Sequence, residues 1–187
     1  DILDFSKIDA GKLTVESIPF ALPVVLGRMV KTFSLAAHQK KLELVYDLDT
    51  AIPSVVIGDP TRLQQVLANL IGNAIKFTEH GEIIVAARLD KIEDSVALVQ
   101  YSVSDTGIGI PKEHQHLIFD SFTQADGSTT RKFGGTGLGL SISSHLVRLM
   151  GGSLEVHSTP GQGSTFQFDL RMPLSAATIL DVPADAS

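Results

Sequence analysis

VVIGDPTRLQQVLANLIGNAIKFT, residues 55–78, decides the fold class, because a strand signal and a helix signal meet inside it. VVIG is a short β-branched run of the kind that forms strands. Asp59 follows as an N-cap, offering a carboxylate oxygen to the first unpaired amides of a helix, and Pro60 stands at the first turn, where its missing N–H is no loss. Beyond it Leu63, Leu67, Leu70, Ile71, Ala74 and Ile75 lie on one broad arc at helical spacing, so this helix buries one face.

The same signals extend outward. Upstream, residues 1–9 read as the tail of a helix closed by Gly11, LTVESIPF (13–20) alternates like a strand, a helix runs from about Leu22 to Lys40, and LELVYDL (42–48) is a strand. Downstream, GEIIVAARL (81–89) and SVALVQYSVSD (95–105) pair as a hairpin across KIED. A helix from about Thr136 to Met150 precedes a second hairpin, SLEVHS (153–158) and GSTFQFDLR (163–171), joined by TPGQG. After Pro173 the composition turns to Ala, Asp, Pro and Ser, as in a loose tail. Helices interleaved with hairpins indicate an α+β fold: a two-layer α/β sandwich whose mixed, mostly antiparallel sheet is covered by three main helices. The expected units are residues 1–12, 13–173 and 174–187.

Bulk properties bound the function. The 187 residues, 43% hydrophobic and 19% charged, suit one domain with a real core. A net charge of −6 argues against a nucleic-acid partner or direct contact with an anionic membrane, both of which need a basic surface. Without cysteine there is no disulfide framework and no thiolate metal site, and no apolar run approaches the roughly 20 residues that span a bilayer. These features fit a cytoplasmic location. The start DILDFSKIDAGK is no signal peptide and lacks an initiator Met, so the chain reads as a piece of something longer.

Three polar constellations stand out. Asn69, Asn73 and Lys76 share the helix face opposite the apolar arc. Such a stripe is ordinarily a solvated face, but asparagine is a poor helix former, and a carboxamide oxygen is a neutral hard ligand suited to Mg²⁺ beside nucleotide phosphates. In SDTGIGIP (104–111) a strand ends at Asp105 among glycines. This is a plain turn, or half of a paired-carboxylate protease site, or an adenine site in which Asp105 accepts the exocyclic amine while Gly107 and Gly109 let the backbone approach the base. The third stretch, RKFGGTGLGLS (131–141), lacks the G-x-G-x-x-G spacing of a dinucleotide fingerprint and has Leu140 where a P-loop needs lysine. It still presents backbone amides at a helix start, with Arg131 and Lys132 just upstream. TQADGSTTRKFGG (123–135) is long and polar enough to be a lid. His114 and His116 have no third ligand at a recognisable spacing and read as loop histidines.

The order of these motifs is more specific than any one of them. The chain resembles the ATP-binding catalytic domain of sensor histidine kinases, in the branch common among hybrid kinases. NLIGNAIKFT (69–78) is similar to the N box, DTGIGI (105–110) to the G1 box, IFDSFTQAD (118–126) to the F box, GGTGLGL (134–140) to the G2 box and GSTF (163–166) to the last glycine box. DILDFSKIDAGKL is similar to the end of the second dimerisation helix in that family, the dimerisation and phosphoacceptor unit.

The resemblance implies the Bergerat ATP-binding fold, ATP and Mg²⁺ as ligands, and transfer of the γ-phosphoryl to a histidine. On this reading Asn73 holds the metal, and Asn69 and Lys76 lie on the phosphate side as catalytic groups. Asp105 binds the adenine amine, with Gly107 and Gly109 close to the base. Phe77, Ile108 and Ile110 wall the base, and Thr165 assists through water. Arg131, Lys132, Gly135, Thr136, Gly137, Leu138, Gly139 and Leu140 close on the triphosphate, while Phe119 and Phe122 anchor the lid. The implied partners are a dimerisation domain of the same kinase, through which it forms a homodimer, and a downstream receiver domain; the parent kinase can be membrane-anchored. Related hydrolases carry Glu four residues before the metal-binding Asn. Here Asn69 stands there, without a basic lone pair, which disfavours fast hydrolysis. None of the six histidines is followed by Glu or Asp as the family's phosphorylated histidine is, so this chain is expected to bind Mg-ATP without phosphorylating itself. A nucleotide-binding regulatory module without turnover and a slow ATPase stay as alternatives.

Overall fold

In the computed structural model, which describes residues 13–119 and 137–175, the elements in chain order are β1 (Ile18–Ala21), α1 (Leu22–Gln39), β2 (Glu43–Leu48), β3 (Val55–Gly58), α2 (Pro60–Phe77), β4 (Glu82–Glu93), β5 (Val96–Asp105), a 3₁₀ turn (Leu117–Phe119), α3 (Gly139–Leu149), β6 (Leu154–Thr159) and β7 (Gly163–Pro173). The helix end expected at residues 1–9 and the chain from 176 onward lie outside the described residues.

Asp59 caps α2 as the sequence requires. One carboxylate oxygen accepts the Arg62 amide at 2.9 Å, and the other accepts the Glu16 amide at 2.9 Å, so a group only 3% exposed has both oxygens in use. The apolar arc of α2 is buried throughout, from Leu63 and Leu67 to Ala74 and Ile75. It lies between α1 and α3 and over β4 and β5.

The main sheet has the order β2-β4-β5-β7-β6, with β2 parallel to β4 and every other pair antiparallel. One face carries Ile83, Val85 and Ala87 of β4, Val99, Tyr101 and Val103 of β5, and Phe166, Phe168 and Leu170 of β7, all buried under the helices. Tyr101 stacks on Phe168 at 5.1 Å between centroids, and its hydroxyl donates to Met172 Sδ at 3.1 Å. The opposite face bears Gln100, Asp169 and Arg171, which are exposed. Alternation with a period of two thus sorts the strands into a core side and a solvent side.

Four boundaries differ from the sequence expectation. Only Ile18–Ala21 of the stretch 13–20 forms a strand, paired antiparallel with β3, because the apolar alternation changes phase between Val15 and Ile18. The first hairpin does not turn across KIED: β4 continues to Glu93, and the reversal is made by Asp94 and Ser95, at φ 49° and 61°, the positive values that primed hairpin turns require. Helix α3 starts at Gly139 rather than near Thr136, since Gly137 sits at φ 69°, outside the helical region. Leu174, expected in the tail, is buried, bridges to Val56 and donates its amide to Ser95 O at 2.8 Å.

Candidate active site

Helix α2 is the spine of the site: the start of α3 meets it near its middle, and the loop 105–110 meets its C-terminal end. Residues 69 to 77 span about 12 Å along its axis at 1.5 Å per residue. Near the middle, the Asn69 carboxamide donates to Ser143 Oγ of α3 at 2.9 Å, and Ser143 is buried. A Cβ on Gly139 would overlap the Asn69 side chain. Asn69 therefore packs on the first turns of α3 instead of facing water, which answers why an asparagine stands there. Asn73, one turn on, is half-buried, and no described residue hydrogen-bonds its carboxamide. Lys76 places Nζ 4.9 Å from the centroid of the Phe77 ring.

The C-terminal end of α2 is held from outside. Lys40 Nζ donates to Ile75 O at 2.6 Å, Lys76 O at 3.2 Å and Thr78 O at 3.1 Å, and the Ile108 amide donates to Phe77 O at 3.3 Å. A cation thus satisfies the carbonyls that a helix end leaves open. Lys40 carries no motif in the sequence; its position four residues after Ala36, at the end of an amphipathic helix, gives no hint of a partner 35 residues away.

The loop 105–110 abuts this end. The Gly107 amide donates to Asp105 Oδ1 at 2.8 Å, and a side chain on Gly107 would collide with Phe77 O. Gly109, at φ 70°, lies against the Thr159 carbonyl with no room for a Cβ. The Ile110 amide donates to Ser158 Oγ at 2.7 Å, and the Gly161 amide to Ile108 O at 2.8 Å. Ile108 stays 52% exposed, an apolar surface in an otherwise bare loop, whereas Ile110 packs against the core. Burial pushes the Asp105 carboxyl above the usual carboxylate range, although the amides of Gly107 and Ser164 and the Thr78 hydroxyl oppose the shift. That Thr78 hydroxyl is itself fully buried and lies beside the carboxyl. A half-buried, partly satisfied carboxylate beside a buried hydroxyl fits a polar ligand edge that brings donors.

Thr165 does not join this group. The register sets Ser158 opposite Ser164 and Ser164 opposite Asp105, all on the core side, while Thr165 falls opposite Ser104 on the other face and hydrogen-bonds its Oγ at 2.9 Å. The residue beside Asp105 is Ser164, 7% exposed and 2.9 Å from Ser158 Oγ. The signal was in the sequence: Phe166, Phe168 and Leu170 face the core, so the even positions of β7, Ser164 included, face it too.

At the other end of the cleft, Leu138 is buried and Leu140 packs against the core, so these residues offer only backbone to a ligand. Leu138 caps α3 without a side-chain hydrogen bond to its first-turn amides. Gly139 owes its identity to close packing on Asn69, not to a ligand. Phe119 is edge-on to Phe166, with centroids 6.4 Å apart. Phe122, Arg131, Lys132, Gly135 and Thr136 lie outside the described residues.

The site so assembled agrees with what the chain is similar to. Residues 58–174 match the family of histidine kinase-, DNA gyrase B-, and HSP90-like ATPases. The signal transduction histidine-protein kinase BarA of Escherichia coli K12 is 46% identical over 184 residues, covering 98% of this chain and 20% of BarA. The sensor protein GacS of Pseudomonas syringae pv. syringae is 47% identical over 173 residues, covering 92% of this chain and 19% of its own length. The chain spans about a fifth of these curated relatives. Among solved structures, full-length ShkA in complex with AMPPNP superposes with a TM-score of 0.82 at 33% identity, over 95% of this chain and 35% of ShkA. The nucleotide-free catalytic domain of the histidine kinase ThkA gives 0.65 at 27% identity, over 83% and 95%. The α+β sandwich shared with these kinase domains and the family match over residues 58–174 together place the chain: it belongs to the histidine kinase-, gyrase B- and HSP90-like ATPases.

Proposed function

We propose that the chain binds ATP along α2, with its base at Asp105 and its phosphates toward the start of α3, and passes the γ-phosphoryl to a histidine on a dimerisation domain of the same kinase. The observation that carries this is the Asn69 carboxamide, bonded to Ser143 and packed on Gly139. It fills the place from which a carboxylate would activate water, and an amide cannot take that proton, so the phosphoryl is kept for another acceptor.

Asp105 accepts the exocyclic amine of adenine, its carboxylate already oriented by the hydrogen bond from Gly107 to Oδ1. Phe77, Ile108 and Ile110 wall the base and exclude water. Ser164 supplies the second polar contact there, in place of Thr165. The backbone amides of Gly137, Leu138, Gly139 and Leu140 face the phosphates, where unpaired N–H groups at a helix start favour an anion. Asn73 offers one neutral oxygen for Mg²⁺, which suits a cation that keeps most of its waters; bound with the nucleotide, Mg²⁺ would screen the phosphate charge. Lys76 adds positive charge along α2, and by the family resemblance Arg131, Lys132, Gly135 and Thr136 would contribute charge and donors to the triphosphate and Phe122, with Phe119, would anchor the lid. Positioning and charge screening supply most of the rate in such a transfer.

The acceptor domain, a homodimer formed through it, a receiver domain downstream and a cytoplasmic position complete the proposal. No described helix is long and apolar enough to cross a membrane. The test mixes this chain with γ-labelled Mg-ATP, with and without a separately supplied histidine-bearing dimerisation domain. Acid-labile label on that domain, absent with Asp105→Asn, is the expected result. Tight ATP binding with no transfer would leave a regulatory nucleotide module, and release of label to water would make it an ATPase.

A further inference from the structure

The base end contains a hydroxyl whose proton can be followed. Ser158 Oγ receives the Ile110 amide at 2.7 Å, gives to Gly163 O at 2.9 Å and lies 2.9 Å from Ser164 Oγ. A serine hydroxyl has one proton and two lone pairs. With the proton on Gly163 O and one lone pair taken by Ile110, the remaining lone pair must accept the Ser164 proton. The reverse assignment would forgo the bond to Gly163 O, so it is the poorer one. Ser158 is also kept from shifting, because Gln115 Nε2 donates to both Ile110 O and Ser158 O at 2.9 Å, tying the loop to β6. Ser164, its own proton committed, can only accept, and the register sets it directly beside Asp105.

We propose that Ser158 is a positioning residue that sets base specificity: by taking the Ser164 proton it turns Ser164 into an acceptor beside Asp105, favouring a purine with a 6-amine over one with a 6-oxo group. This rests on the base lying at Asp105. A 6-oxo purine would set its exocyclic oxygen against the oxygens of Asp105 and Ser164, where a 6-amine brings protons to both. Without Ser158, the Ser164 hydroxyl can turn and donate to that oxygen.

The test measures, by calorimetry on the whole chain, the dissociation constants of ATP and of inosine triphosphate, which carries oxygen in place of the 6-amine. The wild type prefers ATP. Ser158→Ala narrows the inosine-to-adenosine ratio by about tenfold, the worth of one hydrogen bond, and Ser158→Thr, which keeps the hydroxyl, restores it. Equal weakening of both nucleotides by Ser158→Ala, with the ratio unmoved, would mean that Ser158 only supports the hairpin and would overturn the proposal. Should Ser158→Ala fail to fold, Ser164→Ala removes the acceptor itself; the ratio must narrow there too, and an unchanged ratio overturns the proposal equally. Asp105→Asn separates the two levels of the argument. If the wild type shows no preference, or Asp105→Asn leaves the ratio where it was, the base is not read at Asp105, and that reading fails together with the inference built on it.

Discussion

The two ends of the cleft along α2 are built on opposite principles. At the base end, a three-strand row of Ser158, Ser164 and Asp105 is fixed by sheet register, and the loop 105–110 is tied down through Gly107, Ile108 and Ile110. At the phosphate end, a side-chain bond from Asn69 to Ser143 links α2 to α3, and the N-cap residue of α3, Leu138, gives its first-turn amides no side-chain cap. The contrast follows from what each end must recognise. Reading a base edge needs donors and acceptors preset to within an ångström or so, whereas holding an anion needs N–H groups left without partners.

The largest effect expected is on the frame of the base end. Gly163, at φ 102°, has no space for a Cβ against the Asp105 carbonyl. Gly163→Ala should lose about 3 kcal/mol or more of stability in urea unfolding, from strain and collision together. Unchanged stability would show that β7 does not press on the end of β5 as described.

Asp105→Asn comes next. ATP affinity should fall about tenfold to a hundredfold with the loss of a charge-assisted hydrogen bond, while the melting temperature holds or rises, because a buried charge is removed. The sign with pH can be worked out. The folded chain keeps the Asp105 proton to a higher pH than the unfolded chain does. Its contribution to stability is complete below the ordinary carboxylate value and is lost as pH rises through the raised one. ATP binding runs the other way and weakens as pH falls through that same raised value, since only the carboxylate accepts an amine without competition. Asp105→Asn should abolish both slopes, as paired titrations of melting and binding would reveal.

At the phosphate end the pattern reverses. Asn73→Ala should leave stability within about 0.5 kcal/mol, as for a side chain with no described partner, and should remove the Mg²⁺-dependent part of ATP affinity. A large loss of stability would place Asn73 in the frame instead. The smallest effect belongs to Thr165→Ala, less than about twofold on ATP affinity, against a clear loss in Ser164→Ala. Equal effects would contradict the facing assigned from the register.

Much of this was legible in the sequence because it is local. The Asp59-Pro60 start of α2, its apolar arc and the two hairpins are written in adjacent residues, and so is the Asn69, Asn73, Lys76 stripe. What escaped is nonlocal. Lys40 on the end of α2, Gln115 on Ser158 and the buried Thr78 beside Asp105 depend on elements brought together only by folding. The motif points to Thr165, whereas the parity of Phe166 and Phe168 puts Ser164 on the core side beside Asp105. The strand expected over 13–20 shows the same weakness, since a phase change in the alternation outweighs the β-branched content around it.

The most direct test of the division between the two ends is an amide chemical-shift map of the isotope-labelled chain, titrated separately with adenosine and with inorganic triphosphate. Adenosine should move Gly107, Ile108, Ile110 and Ser164 and leave Gly137 to Leu140 still, and triphosphate should do the reverse. Adenosine shifting the start of α3, or triphosphate shifting the loop 105–110, would contradict the orientation of the nucleotide along α2.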